Sequence, residues 1–195
     1  MDDSLSDSNS SNPSEETIQY WVLEVKNGKD ELFAKLIETF SFKLQTMIYR
    51  MILDWDETRD VAQETFIHAY RALPRYQPRS KFQTWLFTIG TRKALDLLRK
   101  RKRYPKEVEL NTNIETDGRE KNHQDPVIQK ETILEIERAV QELPPDQRAI
   151  FILAEYENYS LKEIAEVIGG SVKRVEMHLY RAHIALRERL KLYLR

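Results

Sequence analysis

The chain has 195 residues and a net charge of −1, from 31 basic and 32 acidic side chains, so it is long enough for one domain or two small ones. Apolar residues make up 41% of it and charged residues 32%, which predicts a modest core beneath a highly charged surface. The absence of cysteine excludes disulfides and thiolate metal sites, and no apolar run approaches the ~20 residues that span a bilayer. We therefore expect a cytoplasmic protein with no signal peptide and no direct insertion into the membrane.

Helices dominate the predicted structure from the beginning of the chain. Residues 1–13 are acidic and rich in serine, and we expect them to form a disordered tail. Ser14 then opens a short helix, and Asp30 is the predicted cap of a longer second helix. A third helix follows, with Asp54 or Asp56 as its predicted cap.

The third helix presents an acidic and amide surface. Its apolar residues recur at helical spacing and face inward, which leaves Asp60, Gln63 and Glu64 on the outside. Such a surface is either simply solvated or a docking face for another protein. Composition does not decide between these two interpretations.

The most unusual stretch is residues 79–103, which carry nine cations and one anion. Ser80 and Gln83 stand at the spacing of a capping box, and apolar residues then recur at helical spacing. A local net charge of +8 in a nearly neutral chain indicates a polyanion partner. Aromatic residues such as Tyr76 and Trp85 either pack in the core or offer flat faces to unstacked bases. The alternative interpretation is a solvated basic helix end that complements the helix dipole.

A change of composition after Arg103 divides the chain. Residues 104–126 have few apolar side chains and a net charge of −3, which predicts a flexible acidic linker. The periodic apolar pattern resumes after it. We therefore predict an all-α fold with two small helical domains, residues 14–103 and 127–195, joined by this linker.

The C-terminal domain has the pattern of a helix-turn-helix. Ser160 and Glu163 form a capping box at the start of a short helix. Gly169 and Gly170 provide a tight turn, and Ser171 caps the long last helix. That helix has one apolar side, and the opposite side carries cations that suit a nucleic-acid groove. A plain helical hairpin is the alternative.

No pattern in the sequence indicates an enzyme. The four histidines do not cluster with carboxylates at the spacing of metal ligands. The chain also has no phosphate-binding glycine loop and no nucleophile motif. We therefore expect no catalytic residue, no metal and no cofactor.

Three segments, in this order, resemble the bacterial RNA polymerase sigma factors of the extracytoplasmic-function (ECF) group. They are DVAQETFIHAYRAL at 60–73, FQTWLFTIGTRKALDLLRKRKR at 82–103, and LPPDQRAIFIL followed by YSLKEIAEVIG within 143–169. The resemblance implies a sigma region 2-like domain at 14–103 and a region 4-like domain at 127–195. It also implies a protein that directs promoter-specific transcription initiation and has no catalysis of its own.

The same resemblance implies three partners. Core RNA polymerase would be bound through its β subunit and through the clamp helices of its β′ subunit, the latter by Asp60, Gln63 and Glu64. Promoter DNA would be bound at its −10 and −35 elements. An anti-sigma factor would hold the protein inactive, in some cases at the membrane.

The DNA contacts that the resemblance implies form two sets. The first reads and helps to open the −10 element, with one base flipped out of the stack: Tyr76, Arg79, Lys81, Trp85, Arg92, Lys93, Arg99 and Lys100. The second reads the −35 element in the major groove: Ser171, Lys173, Arg174, Met177, His178 and Arg181.

Departures from the family pattern bear on these DNA contacts. Glu176, Met177 and His178 stand where the family commonly has Lys, Ser and Arg, which predicts weaker phosphate contacts or a different preferred sequence. Gly170 replaces a small apolar residue, and Lys93 replaces a frequent asparagine. The alternative function is a sigma-like decoy that sequesters an anti-sigma factor without binding DNA, although the intact basic helix opposes it.

Overall fold

The structure, a computed structural model, describes residues 13–78, 80–103 and 126–191, with side chains in these ranges except at 102, 103 and 126–133. The regular secondary structure in these ranges is entirely helical, with no strand, which confirms the predicted all-α fold class. The predicted disorder of the tail and the predicted flexibility of the linker lie outside the described residues. None of the described helices has both the length and the apolar character needed to cross a membrane.

The N-terminal unit is built around one long central helix. Its helices are α1 (Glu15–Lys26), α2 (Leu32–Ile52), α3 (Trp55–Ala72) and α4 (Phe82–Arg103). The α2 helix packs against the other three, because its apolar positions occupy most of its circumference. Leu36, Leu44 and Ile48 on this helix are completely buried. This core holds the charged surfaces of α3 and α4 in place.

Two of the predicted helix caps in this unit are confirmed. The Ser14 and Asp54 side chains accept hydrogen bonds from the third residue of α1 and of α3, as N-cap residues do. The prediction for Asp30 is wrong, because α2 begins at Leu32, after Glu31, without a side-chain cap.

The predicted capping box at the start of α4 is not the observed helix start. The backbone N–H of Trp85 donates to the Lys81 carbonyl, which makes Lys81 the residue before the helix. The Ser80 carbonyl instead accepts a hydrogen bond from the Tyr76 hydroxyl at 2.8 Å. The turn before α4 is therefore closed by an aromatic side chain.

A glycine allows α4 to pack closely on α2. A Cβ atom at Gly90 would lie 2.9 Å from Leu44 Cδ1, closer than unstrained carbon atoms approach. Glycine at this position therefore allows the two helices to pack closely, although glycine is a weak helix former.

The C-terminal unit contains α5 (Pro126–Gln141), α6 (Pro145–Phe151), α7 (Leu161–Ile168) and α8 (Val172–Leu190). A single helix is predicted from 146 to about 155. The structure instead has α6 followed by a π-helical turn at Ile152–Tyr156. This wider turn precedes a loop in which Asn158 has a positive φ of 55°.

The helix-turn-helix is confirmed in its local detail. The Ser160 side chain accepts from the Glu163 backbone, and the Glu163 carboxylate accepts from the Ser160 N–H at 2.9 Å. Gly169 ends α7 in the left-handed conformation with φ of 71°, and Ser171 caps α8. The α7 and α8 helices pack against each other across this turn.

The two helical units lie against each other. The α4 helix packs on α6 and α7, and α2 packs on α6 and on the π-helical turn. The buried apolar residues of both units form one continuous cluster. The sequence predicts two domains joined by a linker and does not predict this contact.

Candidate docking face and nucleic-acid interface

The docking face predicted from the sequence is exposed on α3. Asp60, Gln63 and Glu64 are all exposed, because the opposite side of this helix is buried through Val61, Thr65 and other core residues. Ile67 stands one turn after Gln63 and Glu64 and is 44% exposed. The docking face is therefore acidic and polar, with one apolar side chain at its edge.

One member of the docking face is paired with the basic helix. Lys93 on α4 donates to Glu64 Oε2 at 2.9 Å. This hydrogen bond, with the charge of the same lysine, holds the pKa of the Glu64 carboxyl below its ordinary value. This ion pair joins Glu64, which is predicted to bind the polymerase, to Lys93, which is predicted to bind DNA.

The aromatic residues before α4 form a packed cluster. The ring of Tyr76 lies 4.8 Å from the ring of Trp85 and meets the ring of Phe82 at a right angle. Tyr76 is buried, and Trp85 is partly buried. In this conformation Tyr76 offers no free face to a base and instead supports the loop before α4, whereas Trp85 keeps part of its ring accessible.

The basic side chains of α4 have different surroundings. Lys81 and Lys100 are exposed, and Arg99 is paired with Asp96 at 3.2 Å. Arg92 donates from Nε and Nη2 to the backbone carbonyls of residues 167 and 166, at the C-terminal end of α7. Arg79 lies outside the described residues. The described members of the predicted −10 set thus lie on α4 and in the loop before it, and some of them are already bonded to other residues.

The last helix exposes part of its predicted DNA-binding set. Lys173, Met177 and Arg181 are exposed on α8, at successive turns of the helix. Ser171 is the N-cap, so its hydroxyl is bonded to the Arg174 N–H at 3.3 Å.

Two other predicted −35 residues are paired or partly buried. The Arg174 guanidinium is paired with Asp146 at 3.2 Å. His178 is partly buried, and its Nδ1 atom has no hydrogen-bond partner among the described residues. The exposed lysine, methionine and arginine therefore form the accessible centre of this surface.

Sequence reasoning missed residues that join elements far apart in the chain. Arg101 was counted only as one of nine cations, yet it bonds to the Ile52 carbonyl at 3.0 Å and to Glu57. Tyr159 donates its hydroxyl proton to the Thr84 carbonyl at 3.0 Å. The signal in the sequence for the bond between Tyr159 and Thr84 is the pair of tyrosines at 156 and 159.

The described residues contain no group of three or more histidine, cysteine or acidic side chains that could hold a metal ion. The features that stand out are charged helix surfaces rather than a deep cleft. Surfaces of this kind bind macromolecules through many separated contacts.

Comparisons with known protein families match both helical units. The family described as Sigma-70 region 2 matches residues 36–104, and the family described as Sigma-70 region 4 matches residues 133–186. The first match contains the docking face and the whole of α4. The second contains the helix-turn-helix.

Curated relatives match nearly the full length. The ECF RNA polymerase sigma factor SigW of Bacillus subtilis is 30% identical over 179 residues, which are 87% of this chain and 95% of that protein. The RNA polymerase sigma-H factor of Pseudomonas aeruginosa is 32% identical over 188 residues, 93% of this chain and 97% of that protein. The ECF sigma-E factor of Escherichia coli K12 is 30% identical over 177 residues, 87% of this chain and 92% of that protein.

Solved structures share the fold. The sigma factor RpoE of Bartonella quintana, in complex with the anti-sigma factor NepR, aligns with a TM-score of 0.64 at 22% identity, over 82% of this chain and 96% of that chain. The protein CnrH, in complex with the cytosolic domain of CnrY, aligns with a TM-score of 0.61 at 24% identity, over 89% of this chain and 96% of that chain.

Proposed function

The chain belongs to the RNA polymerase sigma factors of the ECF group, and from this premise we propose which of its surfaces carry out promoter-specific transcription initiation. The observation that carries the assignment is that regions 2 and 4 occur in one chain, in order, each with a charged helix on the surface. In this proposal the protein binds core RNA polymerase and reads the −10 and −35 elements of promoter DNA. No observation on the described residues favours the decoy alternative.

The docking face of α3 is proposed to contact the clamp helices of the polymerase β′ subunit. Asp60 and Gln63 have no hydrogen bond or ion pair with the other described residues, so their polar groups are available to a partner. Glu64 is exposed over 66% of its side chain although it is paired with Lys93. An exposed ion pair of this kind is weak and exchanges readily for another.

The proposed −10 surface is α4 together with the loop before it. Exposed lysines at 81 and 100 would neutralise phosphates, and Trp85 offers partial ring area for an unstacked base. Arg92, Lys93 and Arg99 would add charge once released from their present partners. Unstacking a base costs a few kcal/mol, which these contacts would offset.

The proposed −35 surface is the exposed side of α8. Lys173 and Arg181 would contact phosphates or guanine edges, and Met177 would contact an apolar base atom such as a thymine methyl group. Met177 and Glu176 replace polar and basic residues of the family pattern, so the preferred −35 sequence would differ from that of relatives with the usual cations.

Two further statements belong to this proposal. An anti-sigma factor would regulate the protein, since the two solved relatives are complexes with such a factor or with a cytosolic domain. The protein would act in the cytoplasm with the polymerase, as a binding factor and not as an enzyme.

Binding to core polymerase tests the docking face. We predict that Asp60→Ala combined with Glu64→Ala weakens binding of the full chain to core RNA polymerase by about tenfold or more, because each lost charged hydrogen bond is worth about 1.5–3 kcal/mol. The matched control is Glu38→Ala, an exposed acidic residue of α2 outside this face. Equal affinities for wild type and double variant would contradict the proposal.

Transcription in vitro tests the function itself. Core polymerase would be given a pool of randomised promoters with and without the protein. We expect specific transcripts only in its presence, and their aligned upstream DNA would give the −35 and −10 preferences. Binding to an anti-sigma factor without any specific transcript would favour the decoy.

A further inference from the structure

Lys93 on α4 has surroundings that differ from those of the other lysines in the predicted −10 set. Lys81 and Lys100 are exposed, as expected of residues that meet phosphates. The side chain of Lys93 is only 26% exposed, and its Nζ atom donates to Glu64 Oε2 on α3 at 2.9 Å. This lysine is therefore directed toward the docking face and not simply into solvent.

Both members of the pair lie at the edge of the contact between α3 and α4. Thr65, which follows Glu64, and Ala94, which follows Lys93, are completely buried in the same helical unit. The two helices pack against each other, and the side chain of the lysine reaches from one to the other. Because the core holds both helices, the lysine approaches the carboxylate from a fixed direction.

The two side chains differ in their access to solvent. Glu64 is 66% exposed, compared with 26% for Lys93. The ammonium group therefore lies largely beneath the carboxylate, and a partner that approaches α3 meets the carboxylate first. A carboxylate can accept about four hydrogen bonds, so the bond from Lys93 leaves capacity for donors of a partner.

The lysine also allows two carboxylates to share one face. Asp60 and Glu64 are four positions apart on α3 and both are exposed, a spacing at which like charges repel each other. The hydrogen bond from Lys93, together with its charge, holds the pKa of the Glu64 carboxyl below its ordinary value. Glu64 therefore remains ionised beside Asp60, and the docking face keeps both negative charges.

Folding stability is a weak explanation for this pair. An ion pair with a largely exposed member contributes little to stability, and α3 and α4 already pack through the core of the unit. The bond does fix the direction of the glutamate side chain. A free glutamate occupies several rotamers, and restricting it to one of them on binding lowers the affinity.

We propose that Lys93 is a positioning residue of the docking face, which holds Glu64 in the orientation in which α3 offers it to core polymerase before any DNA is bound. This inference rests on the proposed function, because it requires that the docking face binds core polymerase. It gives Lys93 a role that its place in the predicted −10 set does not include. A phosphate contact by the same lysine would follow once the polymerase holds the carboxylate.

Affinity for core polymerase in the absence of DNA tests this role, because a phosphate contact cannot contribute to it. We expect Lys93→Met in the full chain to weaken binding by about threefold to tenfold, the factor for immobilising one flexible side chain. Methionine keeps an unbranched apolar stem at this position and removes only the charged donor. Lys93→Arg, which keeps a charged donor, should restore most of the affinity. Equal affinities for wild type and Lys93→Met would overturn the proposal.

A second background separates positioning from folding. In Glu64→Ala the carboxylate is absent, so the addition of Lys93→Met should cause no further loss of affinity. A lysine that only supported the fold would cause the same loss in both backgrounds, and that result would contradict the positioning role. Lys43→Met, at an exposed lysine of α2, is the matched control and should bind as the wild type does.

The same assay distinguishes failure of this inference from failure of the proposed function. If Asp60→Ala combined with Glu64→Ala binds core polymerase as the wild type does, the docking face is refuted, and the positioning role with it. If that double variant binds weakly while Lys93→Met binds normally, the docking face stands and only the positioning role is refuted.

Discussion

Among single residues, Arg101 shows how one side chain can be misjudged from charge alone. It lies in the middle of the run of cations at 99–103, but its guanidinium is directed into the N-terminal unit. There it binds the Ile52 carbonyl at the end of α2 and the Glu57 carboxylate at the start of α3. A single planar group with five donors thus joins the last turn of one helix to the first turn of the next.

We predict that Arg101→Ala lowers the free energy of unfolding by about 2 kcal/mol, because hydrogen bonds to charged groups contribute about 1.5–3 kcal/mol each and the site is partly exposed. Arg101→Lys should recover only part of this, since an ammonium cannot bridge both acceptors. Chemical denaturation of the full chain measures the change. Lys100→Ala, at an exposed neighbour, is the control, and an equal loss in both variants would contradict the prediction.

Among the elements, α7 depends most clearly on its own sequence. It has only eight residues, too few to be stable alone, and it is held by a complete capping box at one end and a left-handed glycine at the other. The hydrogen bonds from the Ser160 side chain and backbone hold the pKa of the Glu163 carboxyl below its ordinary value of 4.5. The start of the helix-turn-helix is therefore sensitive to acid.

The sign of this effect follows from the direction of the pKa shift. A carboxyl whose pKa is lower in the folded protein stabilises it above the unfolded pKa, and the contribution is lost as the pH falls through the folded pKa. We predict that Glu163→Gln is less stable than wild type at neutral pH, and that the difference starts to shrink as the pH falls below 4.5 and is lost once the pH is below the lowered pKa of the folded protein. Thermal unfolding across this range measures it, and a difference that grows on acidification would contradict the assignment.

Removal of the Ser160 hydroxyl, the other member of the box, should also lower the stability at neutral pH. We predict that Ser160→Ala costs about 1 kcal/mol of stability, as is usual for loss of an N-cap. The same thermal measurement at neutral pH checks it, with Thr46→Ala, an exposed hydroxyl within α2, as the control. Unchanged stability would show that α7 is held by packing alone.

For the whole molecule, the length of the segment between the two units decides what it can reach. The proposed −10 and −35 surfaces lie on α4 and α8, which belong to units that touch in the structure. Two surfaces on separate units can lie no farther apart than the units and residues 104–125 allow. We therefore expect the length of this segment to limit whether the protein can bind both promoter elements at once.

We predict that deletion of residues 106–119 abolishes transcription from promoters with both elements, because the remaining eight residues span only about 30 Å. Binding to core polymerase through α3 should remain. Replacement of the same residues by glycine and serine at equal length is the control, because it retains the reach and removes only the charges. Full transcription by the shortened variant would contradict the requirement for separation.

The sequence by itself determined the helices, most of their caps, the helix-turn-helix and the family. These features rest on hydrogen bonds between residues three or four apart, such as Ser160 with Glu163, and on apolar residues that repeat along one helix. The predicted caps at Asp30 and Ser80 failed. At Asp30 the backbone carbonyl accepts from the Phe33 N–H, and at Ser80 the carbonyl accepts from the Tyr76 hydroxyl, which no pattern of residue types predicts.

Only the tertiary structure decided which charged side chains are free. Arg92 and Lys93 are neighbours of the same type in the sequence, yet one caps α7 and the other pairs with Glu64. The partners lie 75 and 29 positions away, so they meet only when helices pack across the core. The sequence therefore predicted the two nucleic-acid surfaces, and the packing decided that α4, which carries most of one of them, is partly covered by the other helical unit.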